Sequence, residues 1–342
     1  MADANDKIFS DVTERQLQLL RVEAQLRLEI LTELRKLERS IVARLTEEDS
    51  FTQKRLRILL NDVRDFIKEA YAVISAKSLD DMIELASIES AAMAKSLVNV
   101  QVATAAPLAV EKIRRLMEGA LISGAPSEEW WQRQDDELRR AFSDNMREGV
   151  LLGETNDQLV RRVRGTKDLG YTNGIMQTAR NKAEALVRTS VQTAANTARF
   201  ETMEGVGNLI ASYQHVSTLD SRTTPICVVR DGMRWDAKSK KPLKHSLPFK
   251  MPPLHWNCRS TLISNIKGVD LPDDATRASE DGQVSVKTTF EGFLKSKPKE
   301  FVEEVLGKGK AELYLGGKIG LRDLLDQSGN PLTLAELKRK YN

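Results

Sequence analysis

Both cysteines of this 342-residue chain, and one of its three histidines, lie in two short segments. The first reads Asp220-Ser221-Arg222-Thr223-Thr224-Pro225-Ile226-Cys227 and continues through Arg230-Asp231-Gly232. The second reads Pro252-Pro253-Leu254-His255-Trp256-Asn257-Cys258-Arg259. One cysteine and a His-x-x-Cys pair, each beside turn-forming residues, make a donor set for a tetrahedral zinc-type site. Cys227, His255 and Cys258 are the candidate ligands and zinc the candidate cofactor. The fourth ligand has no obvious residue, because Thr224 stands where a Cys-x-x-Cys pair would begin. His215, His245, Asp220 or water are the options. A competing reading makes Cys227 and Cys258 small buried hydrophobes, with His255 bonded to a backbone carbonyl. A disulfide between them is a third reading, confined to an oxidising compartment.

Asp220, Arg222 and Thr223 are polar groups at a predicted strand end. Asp220 suits an Asx turn, and Arg222 can pair with it or with Asp231. No second carboxylate is spaced to form an acid/base pair, so these residues are expected to fix the loop and not to catalyse. Arg188 and Thr189 on the preceding helix are candidates to complete that network. Between Arg222 and Arg259 nine Lys and Arg residues face two Asp, a local excess of +7. Arg230, Arg234, Lys238, Lys240, Lys241, Lys244 and Lys250 are therefore candidates for phosphate-backbone contact, with Trp235, Phe249 and Trp256 interleaved for stacking.

The elements that must position these groups are mostly helical. Charged residues make up 30% and aromatics 5% of the chain, which suits long exposed helices better than a large aromatic pocket. Net charge is only +3, so nucleic-acid binding is not announced by the whole chain. The first residues lack the basic start and apolar run of a signal peptide, and no apolar run is long enough to span a bilayer. The expectation is a soluble, non-membrane chain made in a reducing cytoplasm.

Leu19, Val22, Leu26, Ile30, Leu34, Leu37, Ile41 and Leu45 recur at three- and four-residue spacing, which predicts a helix over 11–47. It needs a partner helix or a second copy of itself. Asp49-Ser50-Phe51-Thr52 is a break and cap before a helix over 52–75. Ser78-Leu79-Asp80-Asp81 reads as another start, opening an Ala- and Ser-rich helix over 82–106 that Pro107 ends or kinks. A helix over 108–121 follows, then a boundary near 125 and a helix capped by Ser127. Residues 155–205 are helical with a break at 165–174. Strands are predicted at 209–216 and 262–266, flanking the motif. Residues 270–285 read as a linker, and 287–342 as short amphipathic helices with a capping box at Thr333 and Glu336.

The motif resembles a known family. Asp220, Arg222, Thr223, Cys227, Asp231, Gly232, Pro252, Pro253, His255, Asn257, Cys258 and Arg259 are similar to the pattern of the phage Mu F-like minor head proteins, the phage head morphogenesis family. The Arg188-Thr189 helix with Asn196, the lead-in Arg147-Glu148-Gly149 to Gly153-Glu154-Thr155, and the tail from Phe290 to Leu334 resemble it too. Trp256 stands where the family usually has proline, and Ser260 where many members have a final cysteine. The resemblance implies a minor capsid component of a tailed phage, without enzymatic activity, associated with the portal or major capsid protein and with double-stranded DNA during packaging or delivery. Its place would be the virion interior, after assembly in the host cytoplasm. A metal-dependent nuclease built on Cys227, His255 and Cys258 is the alternative.

The expected architecture is mainly α with a small α+β motif domain. It has an N-terminal helical region at 1–125 for partner binding or self-association, a Mu F-like domain at 126–268, a linker at 269–286 and a helical tail at 287–342.

Overall fold

The computed structural model describes residues 3–341 apart from 49, 50, 101, 103 and 268–275. The elements run α1 (Asp3–Thr46), α2 (Gln53–Asn99), α3 (Val110–Gly119), α4 (Ser127–Leu151), α5 (Asn156–Arg164), α6 (Ile175–Glu204), β1 (Ile210–Val216), α7 (Pro225–Arg230), β2 (Arg234–Asp236), β3 (Pro242–Leu243) and β4 (Thr261–Ile266). They continue with β5 (Thr276–Ser279), β6 (Gly282–Ser285), α8 (Phe290–Lys295), α9 (Lys299–Leu306), α10 (Lys308–Leu315) and α11 (Leu334–Tyr341). The chain is mainly α with a small α+β region, as its periodicity predicts. No helix among the described residues is long and apolar enough to cross a membrane.

The chain forms two compact units, one of Leu20–Leu85 and Arg114–Val191, the other of Met1–Leu19, Ala86–Ile113 and Gln192–Asn342. The first is helical. Ile30, Leu34, Leu37, Ile41 and Leu45 of α1 are buried, as are Leu59, Val63, Ile67, Tyr71 and Ile74 of α2. Both sets keep the three- and four-residue spacing that places them on one stripe. Arg44 reaches Asp62 at 2.8 Å and Lys77 reaches Glu29 at 2.6 Å. Those pairs run in opposite directions along the two helices, so α1 and α2 make an antiparallel hairpin. Gly149 of α4 sits at a close approach: a Cβ there would lie 2.3 Å from a Leu159 methyl of α5, which would have to move. The helix α5 opens on a reciprocal cap between Thr155 and Gln158.

Three local expectations are corrected. The start predicted at Ser78–Asp81 lies inside the continuous helix α2, because Asp81 pairs with Lys77 one turn back at 3.0 Å instead of capping. The same helix stops at Asn99, before Pro107, where the Val100 and Val102 amides both close on the Leu97 carbonyl. Ser127 is the first residue of α4, but its hydroxyl is buried without a partner, so it does not cap. The break expected at 49–52 falls partly outside the described residues; Thr52 does accept from the Arg55 amide at 3.3 Å.

The second unit holds a four-stranded antiparallel sheet in the order β3-β2-β1-β4. In the centre, β1 pairs Tyr213 with Ser264 and Val216 with Thr261 of β4, and Tyr213 with Trp235 of β2. One cluster buries Ile8, Phe9 and Val12 of α1 with Met93 and Leu97 of α2 and Ile210 and Ile263 of the sheet. Another joins Val228, Val229 and Trp235 to Phe290, Phe293, Val302 and Leu337 of the tail. Of the stretch read as a linker, 276–285 forms the β5–β6 hairpin, while 269–275 lies outside the described residues.

A buried ion triad ties the helices of this unit together. Glu89 of α2 is fully buried and accepts from Arg199 of α6 at 2.8 Å and from Arg15 of α1 at 3.1 Å. Arg199 also donates to Gln16 at 2.9 Å and to Thr261 of β4 at 3.3 Å. Removing the carboxylate would leave two guanidinium groups without their counter-charge. Glu89→Gln is expected to lower unfolding stability by about 3–5 kcal/mol in urea titrations. A change within about 0.5 kcal/mol, the range of ordinary surface substitutions, would contradict this account.

Candidate functional site

The sheet register brings the two motif limbs together. Strand β1 ends at Val216 opposite Thr261, the first residue of β4. The chain leaving β1 and the chain entering β4 therefore start side by side. The leaving limb turns at Asp220, whose carboxylate accepts from the Arg222 amide at 3.2 Å and the Thr223 hydroxyl at 3.1 Å. That single Thr223 proton is shared with the Thr218 carbonyl, at 2.6 Å the nearer acceptor. Pro225 then starts α7 and Cys227 follows in its first turn. The entering limb carries a cis Pro252–Pro253 peptide and a tight turn in which the Cys258 amide bonds the His255 carbonyl at 3.2 Å. Asn257 takes the left-handed conformation there, φ 60°, which Asn tolerates better than most residues. That turn sets His255 and Cys258 on the same side.

Arg259 locks the limbs with a fork on Asp220, at 2.5 and 2.7 Å. Burial pushes the Asp220 carboxyl up and Arg259 pulls it down; the net position is below the usual carboxylate range. Asn196 of α6 supports the start of β4, donating to the Ser260 carbonyl at 3.0 Å and accepting from Thr261 at 2.7 Å. Arg222 is 3.7 Å from Asp220 with its side chain 81% exposed, so Arg259 supplies the tight pairing. Arg188 pairs with Glu23 at 3.0 Å and with Glu184, and the Thr189 hydroxyl donates to the Ala185 carbonyl at 2.8 Å.

Cys227, His255 and Cys258 converge. The two Sγ atoms are 3.7 Å apart and both thiols are free and buried. His255 Nε2 is 3.3 Å from Cys227 Sγ and 2.8 Å from the Thr224 hydroxyl. Its Nδ1 faces the Trp256 carbonyl at 2.9 Å, the backbone bond that one sequence reading expects. Sharing a proton with Cys258, and burial, push the Cys227 thiol well up, while Cys227 and His255 hold Cys258 well below the usual thiol range. Two of the fourth-ligand options are engaged with other groups. Asp220 is taken by Arg259, and His245 bonds the Arg234 carbonyl at 2.7 Å and stacks edge-on against Trp235.

Asp231 ends α7 and is the best-partnered carboxylate of the motif. It accepts from the Ser217 amide at 2.8 Å, the Phe290 amide at 2.8 Å, and Arg277 at 2.8 and 2.9 Å. Arg277 also donates to the Thr288 carbonyl at 3.0 Å and to the Ser217 carbonyl. Gly232 follows with φ 76°, the left-handed region glycine enters without strain, and its amide returns to the His215 carbonyl at 2.8 Å. Sequence reading missed Arg277, which lies in a polar stretch with no periodicity to mark it.

The basic stretch separates into distinct environments. Arg230 corrects the sequence expectation: it is fully buried, with its guanidinium over Trp235 and a bond to the Pro248 carbonyl at 3.0 Å, so it presents no charge to a phosphate surface. Lys240 bonds Glu204 at 2.7 Å and sits over the Phe200, Tyr213 and Phe249 rings. Arg234, Lys238, Lys241 and Lys244 are exposed around the β2–β3 hairpin, and Lys250 is half-buried.

His215 sits in β1 with no exposed surface, and neither ring nitrogen has a hydrogen-bond partner. Burial pushes it down to about 4 from 6.5. The folded state thus keeps His215 neutral where the unfolded chain protonates it. Its contribution is fully present above the unfolded value and is lost as pH falls from 6.5 to about 4, costing about 3 kcal/mol over that window. Urea midpoints for the native chain are expected to fall more steeply through this window than those of His215→Met; parallel curves would contradict the assignment.

Residues 140–263 match the family described as Phage Mu protein F like protein. No curated protein and no solved structure matches the chain. The matched span starts within α4 and ends in β4, so it contains both limbs of the motif and the helix that braces them. The match supports a role in phage head morphogenesis. Residues 140–263 are therefore a region similar to the Mu F-like phage head morphogenesis proteins.

Proposed function

We propose that the chain is a minor capsid protein of a tailed phage, incorporated into the head interior after synthesis in the host cytoplasm. It contacts the portal or major capsid protein and the packaged double-stranded DNA. The observation that carries this reading is the family match across 140–263. The site favours architecture over turnover. Asp220 is consumed by Arg259 and Thr223, and Asp231 by Arg277 and two backbone amides, so neither motif aspartate is free to act as a base.

The DNA-facing surface is the β2–β3 hairpin, where Lys238, Lys241 and Lys244 are exposed. Phosphate contacts release counterions and make binding salt-dependent. Replacing these three lysines with Gln is expected to flatten the log-affinity against log-salt slope for duplex DNA by about 0.9 per contact, about 3 in all. An unchanged slope would remove DNA from this surface. The capsid-facing surface is assigned to the N-terminal helices, where α1 leaves Leu20 43% and Leu28 51% exposed. Leu20→Glu with Leu28→Glu is expected to lower the amount of the chain in assembled heads at an unchanged melting temperature. Undiminished incorporation would place partner contact elsewhere.

A further inference from the structure

We propose that Cys227, Cys258 and His255 hold one divalent zinc-type cation, with a non-protein ligand completing the tetrahedron beside Thr224. The inference goes beyond the head-assembly reading and stands or falls separately from it.

The ligand spacing is the first argument. Tetrahedral zinc with bonds of about 2.3 Å to sulfur and about 2.0 Å to nitrogen sets two sulfurs about 3.8 Å apart and a sulfur and a nitrogen about 3.5 Å apart. The two thiols lie 3.7 Å apart, and Cys227 Sγ lies 3.3 Å from His255 Nε2. All three donor atoms fall within 4.8 Å of one another, and among the described residues they form the one such group of His, Cys, Asp or Glu.

The imidazole tautomer is the second. A carbonyl oxygen only accepts, so the 2.9 Å contact between Nδ1 and the Trp256 carbonyl requires the proton on Nδ1. Nε2 then carries the lone pair and points at the sulfurs. A backbone acceptor on the far nitrogen is the usual outer partner of a metal-bound histidine, since it fixes ring orientation and leaves the correct nitrogen free.

The scaffold is the third. Cys227 is fixed in the first turn of α7 and Cys258 in the turn closed by Asn257, and the β1–β4 register holds both turns in place. The Arg259–Asp220 fork braces the same two limbs from outside the cluster. The scaffold therefore brings the donors together, and a cation entering displaces the Thr224 hydroxyl from Nε2 and replaces the contacts of Cys227 with Nε2 and with Cys258. Binding forms two metal–sulfur bonds and one metal–nitrogen bond, and any proton on a thiol leaves to solvent.

The test titrates the full-length, untagged, reduced chain with cobalt(II), then zinc. One cobalt per chain with the visible absorption of tetrahedral thiolate ligation, bleached by zinc, is the expected result. Cys258→Ser and His255→Gln should each weaken cobalt binding at least tenfold, and Thr224→Val should retain it. Where a cysteine variant does not fold, zinc-edge X-ray absorption of the native chain reads the ligands directly, with two sulfurs and one imidazole expected. Absence of cobalt absorption in natively folded protein, binding unchanged in the folded variants, or a zinc shell without sulfur would each overturn the site.

Discussion

A carboxylate with no exposed surface organises the motif. Burying an ionised group is costly unless each oxygen is matched, and Asp231 meets that condition with donors from three separate parts of the chain. Ser217 follows β1, Arg277 lies in β5 and Phe290 opens α8. Their meeting at one side chain is why the residues after β4 pack into the motif core with Val228 and Trp235. The thiol–imidazole cluster depends on the same end of α7, because Ser217 also donates to the Cys227 carbonyl at 2.8 Å.

Charge is used differently in the neighbouring helices. The Glu89 triad carries two arginines for one carboxylate in the interior, with Gln16 and Thr261 satisfying further donors. The surface cations of the β2–β3 hairpin have no such enclosure. Lys240 lies between these extremes, with a carboxylate at its tip and three aromatic faces around its ammonium. A residue-type count over Arg222 to Arg259 merges these environments, which is why a single local charge overstated the surface that phosphate can reach.

What the amino-acid order revealed follows from locality. Stripes on α1 and α2, the strands on either side of the motif and the Cys–His–Cys grouping all rest on residues close in sequence or on side chains with few roles. Pairings across long separations were not legible. Arg222 stands two residues from Asp220, yet Arg259 takes the carboxylate because the β1–β4 register delivers its fork from the opposite limb. Arg277 and Glu89 carried no signal, one lying in an acidic, polar run and the other in an Ala- and Ser-rich helix. The start read at Ser78 failed because capping residues also tolerate a helix interior when an i,i+4 ion pair engages them.

The order in which the two units draw on the chain has a bearing on biosynthesis. All residues of the helical unit precede Gln192, whereas the sheet-bearing unit needs Met1–Leu19 and Ala86–Ile113 as well as everything from Gln192 onward. During vectorial synthesis on a ribosome, the helical unit can close first. Ile8, Phe9, Val12, Met93 and Leu97 meanwhile await the sheet they will cover. The nascent polypeptide thus carries a waiting apolar surface until β1 and β4 have been made, and that interval is when a holding chaperone would find its substrate.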